Sequence, residues 1–211
     1  MILFDAFQYA AARSDEWLRA LEQHLVLVAV ALAIGIALCV PLGILSSRSK
    51  SVSFAVINSA NGLRVIPSLA ILFLAIPYFG LSFTAAALAL TLLALPPILI
   101  NTDAAFRTIP AAVKEAAYGM GMTSRQVLWR IELPLALPVI VTGIRTATIE
   151  VIASATLAAF IGGGGLGIYI TRGFALFDNS ILLVGAISVA LLALTAEVLM
   201  GGVERLVRIP S

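Results

Sequence analysis

HLVLVAVALAIGIALCVPLGIL, His24–Leu45, contains no Asp, Glu, Lys or Arg. A helix needs about 20 apolar residues to cross the roughly 30 Å hydrocarbon layer of a bilayer, and this run is long enough. Four further stretches along the chain also qualify: Phe54–Ile76, Leu81–Ile100, Leu135–Phe160 and Ser180–Met200. The composition agrees, because 61% of the 211 residues are hydrophobic and only 11% are charged, a balance foreign to water-soluble domains of this length. Five crossings leave too little chain for a separate soluble domain. The expected fold is an all-α, polytopic membrane protein with five transmembrane helices. Its expected parts are an N-terminal segment, 1–23, and a membrane domain, 24–211, with a polar loop at about 103–134.

Charge sets the expected orientation, since Lys and Arg in short loops are retained on the cytoplasmic side. Arg48, Lys50, Arg107, Lys114, Arg125, Arg130, Arg205 and Arg208 fall on one side, whereas Arg13, Arg19 and Arg172 fall on the other. The N-terminus is therefore expected outside and the C-terminus in the cytoplasm. The formal charge of +2 arises at segment ends rather than in a basic patch, which argues against nucleic acid as a partner. Cys39 is the only cysteine, so neither an intrachain disulfide nor a thiolate metal site can form. Asp5, Asp15 and Glu16 precede the first apolar run in place of a basic leader, so that run is expected to stay in the mature protein. Phe4, Phe7, Trp17, Leu18 and Leu21 among charged neighbours suit an N-terminal interfacial helix along the outer membrane surface, or else a mobile tail.

The longest hydrophilic stretch between spans, Asn101–Pro134, has the pattern of a helical elbow. Pro110 suits a first helical turn. Val113, Ala116, Ala117 and Met120 then recur on one face, and Gly119 and Gly121 end the helix. Thr123 and Gln126 have capping-box spacing for a second helix, and Pro134 with Pro138 shapes the return into the bilayer.

Within this elbow, EAAYGMGMTSRQVLWRIELP, Glu115–Pro134, contains EAA-X3-G-X9-I-X-LP at Glu115, Ala116, Ala117, Gly121, Ile131, Leu133 and Pro134. In this it resembles the signature of binding-protein-dependent ABC importer permeases. From about His24 onward the chain is similar to the osmoprotectant branch, which imports glycine betaine, carnitine and choline. The strings that carry this are IPSLAILFLAIPYFGL (Ile66–Leu81), ELPLALPVIVTGIRTAT (Glu132–Thr148) and ATLAAFIGGGGLG (Ala155–Gly167). Methionine-type permeases share the five-span plan and a similar glycine stretch, and remain the alternative. Gly163 stands where the family often has alanine.

The resemblance implies a coupling helix that seats in a groove of a cytoplasmic ATPase, with Glu115, Ala116, Ala117, Gly119, Gly121 and Met122 at the docking surface. It also implies a second permease subunit, identical or homologous, two ATPase subunits, an extracytoplasmic solute-binding protein and transport by alternating access. No cofactor is expected in this chain; ATP and Mg belong to the partner. An ATP-independent channel or secondary carrier is the rival of another class. A membrane enzyme lacks support, because no nucleophile and base or metal cluster is evident.

Charges inside spans cannot face lipid, which singles out Arg64, Arg145 and Glu150. Arg145 and Glu150 lie about 140° apart around one helix and are poor partners there. Either Glu150 faces the pathway near Thr148 or Ser154, or it forms a buried ion pair with Arg64 or Arg145. Asn61, Gly62 and Pro67 are expected to break the second span, as in helices that line cavities. Glu197 is expected to snorkel to the interface. Gly162, Gly163, Gly164, Gly165 and Gly167 lack the Lys and Ser/Thr of a phosphate loop. They are expected to form a flexible outer gate and docking surface for the binding protein, or a plain connection.

Overall fold

Backbone groups in lipid must find their hydrogen bonds within the chain, which leaves helices as the economical way to cross. The computed structural model describes residues 2–207; Arg208, counted above among the cytoplasmic charges, lies outside them. Among the described residues the regular elements are all helical. They are α1 (Ile2–Ala12), α2 (Ser14–Ser46), α3 (Lys50–Val65), α4 (Ser68–Phe79), α5 (Phe83–Arg107), α6 (Ala111–Gly119), α7 (Ser124–Val127), α8 (Leu133–Ala155), α9 (Gly167–Leu176) and α10 (Asn179–Val207). A π-helical segment, Leu128–Glu132, joins α7 to α8, and a 3-10 turn, Leu157–Ile161, follows α8.

Helix α5 lies at the centre, between α2 and α8. Its Ala85, Ala89, Leu90, Ala94 and Ile98 share one core with Leu27 and Ala31 of α2 and with Ala147, Val151 and Ala155 of α8. The hydrophobic effect does not drive helices together in lipid, so close contact depends on small residues. A Cβ on Gly43 would stand 2.6 Å from the Thr102 Cβ, and one on Gly143 would stand 2.8 Å from the Pro97 carbonyl oxygen. Helix α10 covers α8 and α9, and α1 lies against α10. There Ala6, Ala20, Leu166, Tyr169, Ile181 and Val184 form a second core, and the Trp17 indole N–H donates to Ser188 Oγ at 2.8 Å.

Several expected boundaries move. No breaker separates Ser14 from His24, so α2 runs unbroken across the 23/24 boundary, and Trp17, Leu18 and Leu21 belong to its first turns. The second span is two helices meeting at 92°. The bend falls at Ile66–Pro67, where proline cannot continue the ladder. Asn61 and Gly62, expected to share in the break, sit inside regular α3. Helix α5 continues past Ile100 to Arg107 because Asn101–Arg107 holds no Gly or Pro. Helix α8 stops at Ala155 instead of Phe160, and α9 is an additional helix of 10 residues, too short to cross a bilayer. By length and hydropathy, α2, α5, the run from α7 through α8, and α10 each suffice to cross, and the bent pair α3–α4 makes a fifth.

Candidate functional site

Two regions gather many of the polar groups singled out by sequence: the elbow between α5 and α8, and a cleft lined by α3, α4, α5 and α8.

In the elbow, Pro110 precedes α6, and Gly121 adopts a left-handed φ of +80° just after it. A branched side chain would be strained there. The Thr123 backbone N–H donates to Gln126 Oε1 at 2.8 Å, and Gln126 N–H donates to Thr123 Oγ1 at 3.4 Å, completing the capping box. Ala116 and Ala117 do not share a surface. Ala117 is buried against the protein, while Glu115, Ala116, Gly119 and Gly121 are exposed and Met122 is half-buried. Successive helical residues point about 100° apart, so two adjacent alanines divide between faces. Met120, which shares the expected apolar stripe and caps the C-terminus of α6, is 74% exposed; this end of the elbow thus presents Ala116 and Met120 outward.

Beneath α6 lies a charged cluster. Glu132, 2% exposed, receives Arg48 Nη1 on Oε1 at 2.9 Å and Nη2 on Oε2 at 2.6 Å. Lys114 Nζ lies 3.0 Å from Glu132 Oε1 and donates to the Phe106 carbonyl at 3.3 Å. Alongside, the buried Asp103 accepts from Ser46 Oγ at 2.6 Å and Ser53 Oγ at 2.8 Å, and Arg107 donates to Ser53 Oγ at 2.6 Å.

In the cleft, Arg64 Nη2 lies 3.3 Å from Glu150 Oε1. Their side chains are 51% and 39% exposed, so Glu150 does pair with Arg64, one of the two partners offered, but in the open cleft and not as a buried pair. Pro67, Ser68, Pro96 and Ser154, with Leu63, Ile66, Leu93 and Ala153, also line this space of about 420 Å³. Thr148 is turned away, buried, with its hydroxyl donating to the Ile144 carbonyl at 2.8 Å. Asn61 is exposed on α3 and does not reach the cleft lining. Arg145 binds Glu197 and, at 2.7 Å, Glu204. Glu197 therefore does not snorkel alone; it is held by a neighbouring helix. A shallow groove carries both Arg145 and Glu150, so Glu150 borders two openings.

The glycine stretch is held in place and not loose. His24 Nδ1 accepts from the Leu166 backbone N–H at 3.3 Å, and its Nε2 lies 3.2 Å from the Ile152 carbonyl. Nε2 must then carry the proton. Gln23 Oε1 accepts from Gly165 N–H at 3.3 Å. A Cβ on Gly163 would stand 2.7 Å from the Ala86 Cβ, and one on Gly167 only 2.0 Å from the Thr156 carbonyl oxygen. Glycine at 163 accordingly permits a close approach that the alanine often found there in the family would obstruct.

Sequence reasoning missed Gln23, His24, Arg48, Asp103, Lys114 and Glu132. His24, the sole histidine, and Glu132, set between the motif residues Ile131 and Leu133, carried a signal as individuals. Their partners lie from 18 positions away, for Lys114 and Glu132, to 142, for His24 and Leu166, too far apart for local pattern to pair them.

A family model described as the binding-protein-dependent transport system inner membrane component matches residues 35–209. A carnitine transport permease protein, OpuCB of Listeria monocytogenes, is 43% identical over 182 residues, covering 86% of this chain and 84% of its own length. A choline transport system permease protein, OpuBB of Bacillus subtilis, is 38% identical over 198 residues, covering 94% and 91%. Among solved structures, an inward-facing MetNI methionine ABC transporter superposes with a TM-score of 0.83 at 23% identity over 92% of this chain and 96% of that one. That likeness shows the fold.

Proposed function

This chain belongs to the family of binding-protein-dependent transport system inner membrane components, and from that membership we propose that it carries quaternary ammonium osmoprotectants, such as glycine betaine, carnitine or choline, inward across the membrane. The observation that carries the solute class is the 43% identity to a carnitine permease across most of both chains. The Arg64–Glu150 cleft supports it, because a partly exposed carboxylate there gives a permanently cationic group a weak resting place in competition with Arg64.

Energy comes from a separate ATPase. Two ATPase subunits serve the permease pair, and one of them docks on this chain's elbow through Glu115, Ala116, Gly119, Gly121 and Met122, with Ala117 packing behind them. The outward-facing Ala116 and Met120 support this, as does the rigid turn that carries them. A second permease subunit closes the path, and an extracytoplasmic binding protein delivers solute at the end that carries Gly162–Gly165 and Gly167. The N-terminus lies outside; the gathering of Arg48, Arg107 and Lys114 at the elbow end supports that orientation. ATP binding and hydrolysis bias the two orientations of the path.

The test is uptake in a host lacking osmoprotectant transport, with the chain expressed beside its cognate ATPase and binding protein. Labelled glycine betaine, carnitine or choline should accumulate and should stop accumulating when the ATPase nucleotide site is inactivated. Uptake that survives that inactivation would mark a channel or secondary carrier instead. Uptake of methionine in place of the three would reassign the solute.

A further inference from the structure

Beside Leu93 and Pro96 of α5, the cleft has two further walls, and these connect to the elbow differently. Glu150 and Ser154 lie on α8, which continues from the elbow through α7 and the π-helical segment. Any displacement of the elbow reaches that wall along one continuous helix. Arg64, Pro67 and Ser68 lie on the opposite wall, at the junction of α3 and α4, and no short chain segment joins that junction to the elbow. Helix α3 buries only Ser53 and Ala60 among its residues, and within this chain it packs chiefly against α5. Its cytoplasmic end is fastened by Ser53 to Asp103, and the turn before it is fastened by Arg48 to Glu132.

Glu132 is suited to that task. A buried carboxylate gripped in bidentate fashion by a guanidinium has a fixed geometry, unlike an exposed pair such as Arg172–Glu16 at 3.4 Å. Buried ion clusters contribute little net stability compared with apolar packing, and what they specify is position. Lys114, on the coupling helix itself, binds the same carboxylate. The group thus joins α6, the start of α8 and the α2–α3 turn at one point. From Ser53 to Arg64, α3 then spans roughly 16 Å as a rigid rod.

We propose that Glu132 is a positioning residue for energy coupling: with Arg48 and Lys114 it clamps the α2–α3 turn to the elbow, so that both walls of the Arg64–Glu150 cleft move when the elbow moves. This rests on the assignment of α6 as the ATPase-docking element. Without the clamp, Ser53 still ties α3 to the end of α5 through Asp103, but the α2–α3 turn is released from α6 and α8, and ATP is hydrolysed with less of the elbow's movement reaching the α3–α4 wall.

The experiment compares wild type, Glu132→Gln, Arg48→Gln and the double variant in proteoliposomes of the whole transporter. The probe is whichever of labelled glycine betaine, carnitine and choline the wild type takes up fastest, and the readout is solute taken up per ATP hydrolysed. Each single variant should lower that ratio roughly 5-fold or more, the lower end of site-to-site coupling, while retaining the ATPase subunits and an ATP hydrolysis rate near wild type. The double variant should lose no more than the worse single, because both act through one contact. An unchanged ratio in either variant overturns the clamp, as does parallel loss of uptake and hydrolysis in assembled complexes. If Glu132→Gln fails to assemble, Arg48→Gln, at the more exposed partner, decides by the same ratio. Wild-type vesicles without ATP-dependent uptake overturn the transporter assignment and the clamp together, a result separable from normal wild-type uptake with an unaltered ratio.

Discussion

His24 shows how much one side chain can hold. It is wholly buried and spends both ring nitrogens, one on the Ile152 carbonyl of α8 and one on the Leu166 amide that opens the way into α9. His24→Ala leaves a buried N–H and a buried C=O unmet, and should destabilise the protein by about 2 kcal/mol or more, read as a lowered thermal midpoint in detergent and faster exchange of the Leu166 amide. Arg64→Gln should behave in the opposite way. Its pair with Glu150 is open to solvent, so stability should change by less than about 1 kcal/mol, while uptake falls roughly tenfold, the weight of one 1.4 kcal/mol interaction. Unchanged uptake in Arg64→Gln and Glu150→Gln alike would remove the cleft from the path. Asp178 caps α10 by accepting from the Ser180 N–H at 2.9 Å. The Ser180 hydroxyl, then its amide, holds the carboxyl below the usual range. A depressed folded-state value means the cap's contribution is complete above the ordinary carboxylate range and is lost as pH falls through the lowered value. Exchange of the Ser180 amide should therefore accelerate only in strong acid.

At the scale of the element, the helices depend on where side chains are missing. Gly143 lets α8 rest on Pro97 and Asn101 of α5. Gly143→Val should force these helices apart at a cost of about 1–3 kcal/mol, visible as lost thermal stability even though valine suits an apolar span. Pro67 divides the second crossing where Asn61 and Gly62 do not, because only proline both removes a donor and clashes with the preceding turn. A scan for polar or small residues marks all three alike; the hydrogen-bond ladder separates them. The elbow was legible almost residue by residue, since capping, a glycine turn and a short period are local properties. Which of its adjacent alanines faces outward was not legible, because that depends on the tertiary surface beneath.

The whole molecule offers a direct test of topology. Cys39 is buried, so single cysteines placed elsewhere can be labelled over a low background. Cysteine at Ala116 should react with a membrane-impermeant maleimide only from the cytoplasmic side, and cysteine at Phe177, 91% exposed on the glycine-loop end, only from outside. Reversed labelling would turn the elbow away from any cytoplasmic ATPase. The sequence by itself determined the helical class, the number of crossings, the elbow and the family, because apolar length, charge bias and motif spacing are written along one chain and require no knowledge of neighbours. Tertiary structure alone decided that Arg64 meets Glu150, that Arg145 goes to Glu197 and Glu204, and that Glu132 gathers Arg48 and Lys114. Those partners are set by which helices pack side by side and at what rotation, and a charge buried in a membrane protein takes whichever counter-charge that packing brings within reach.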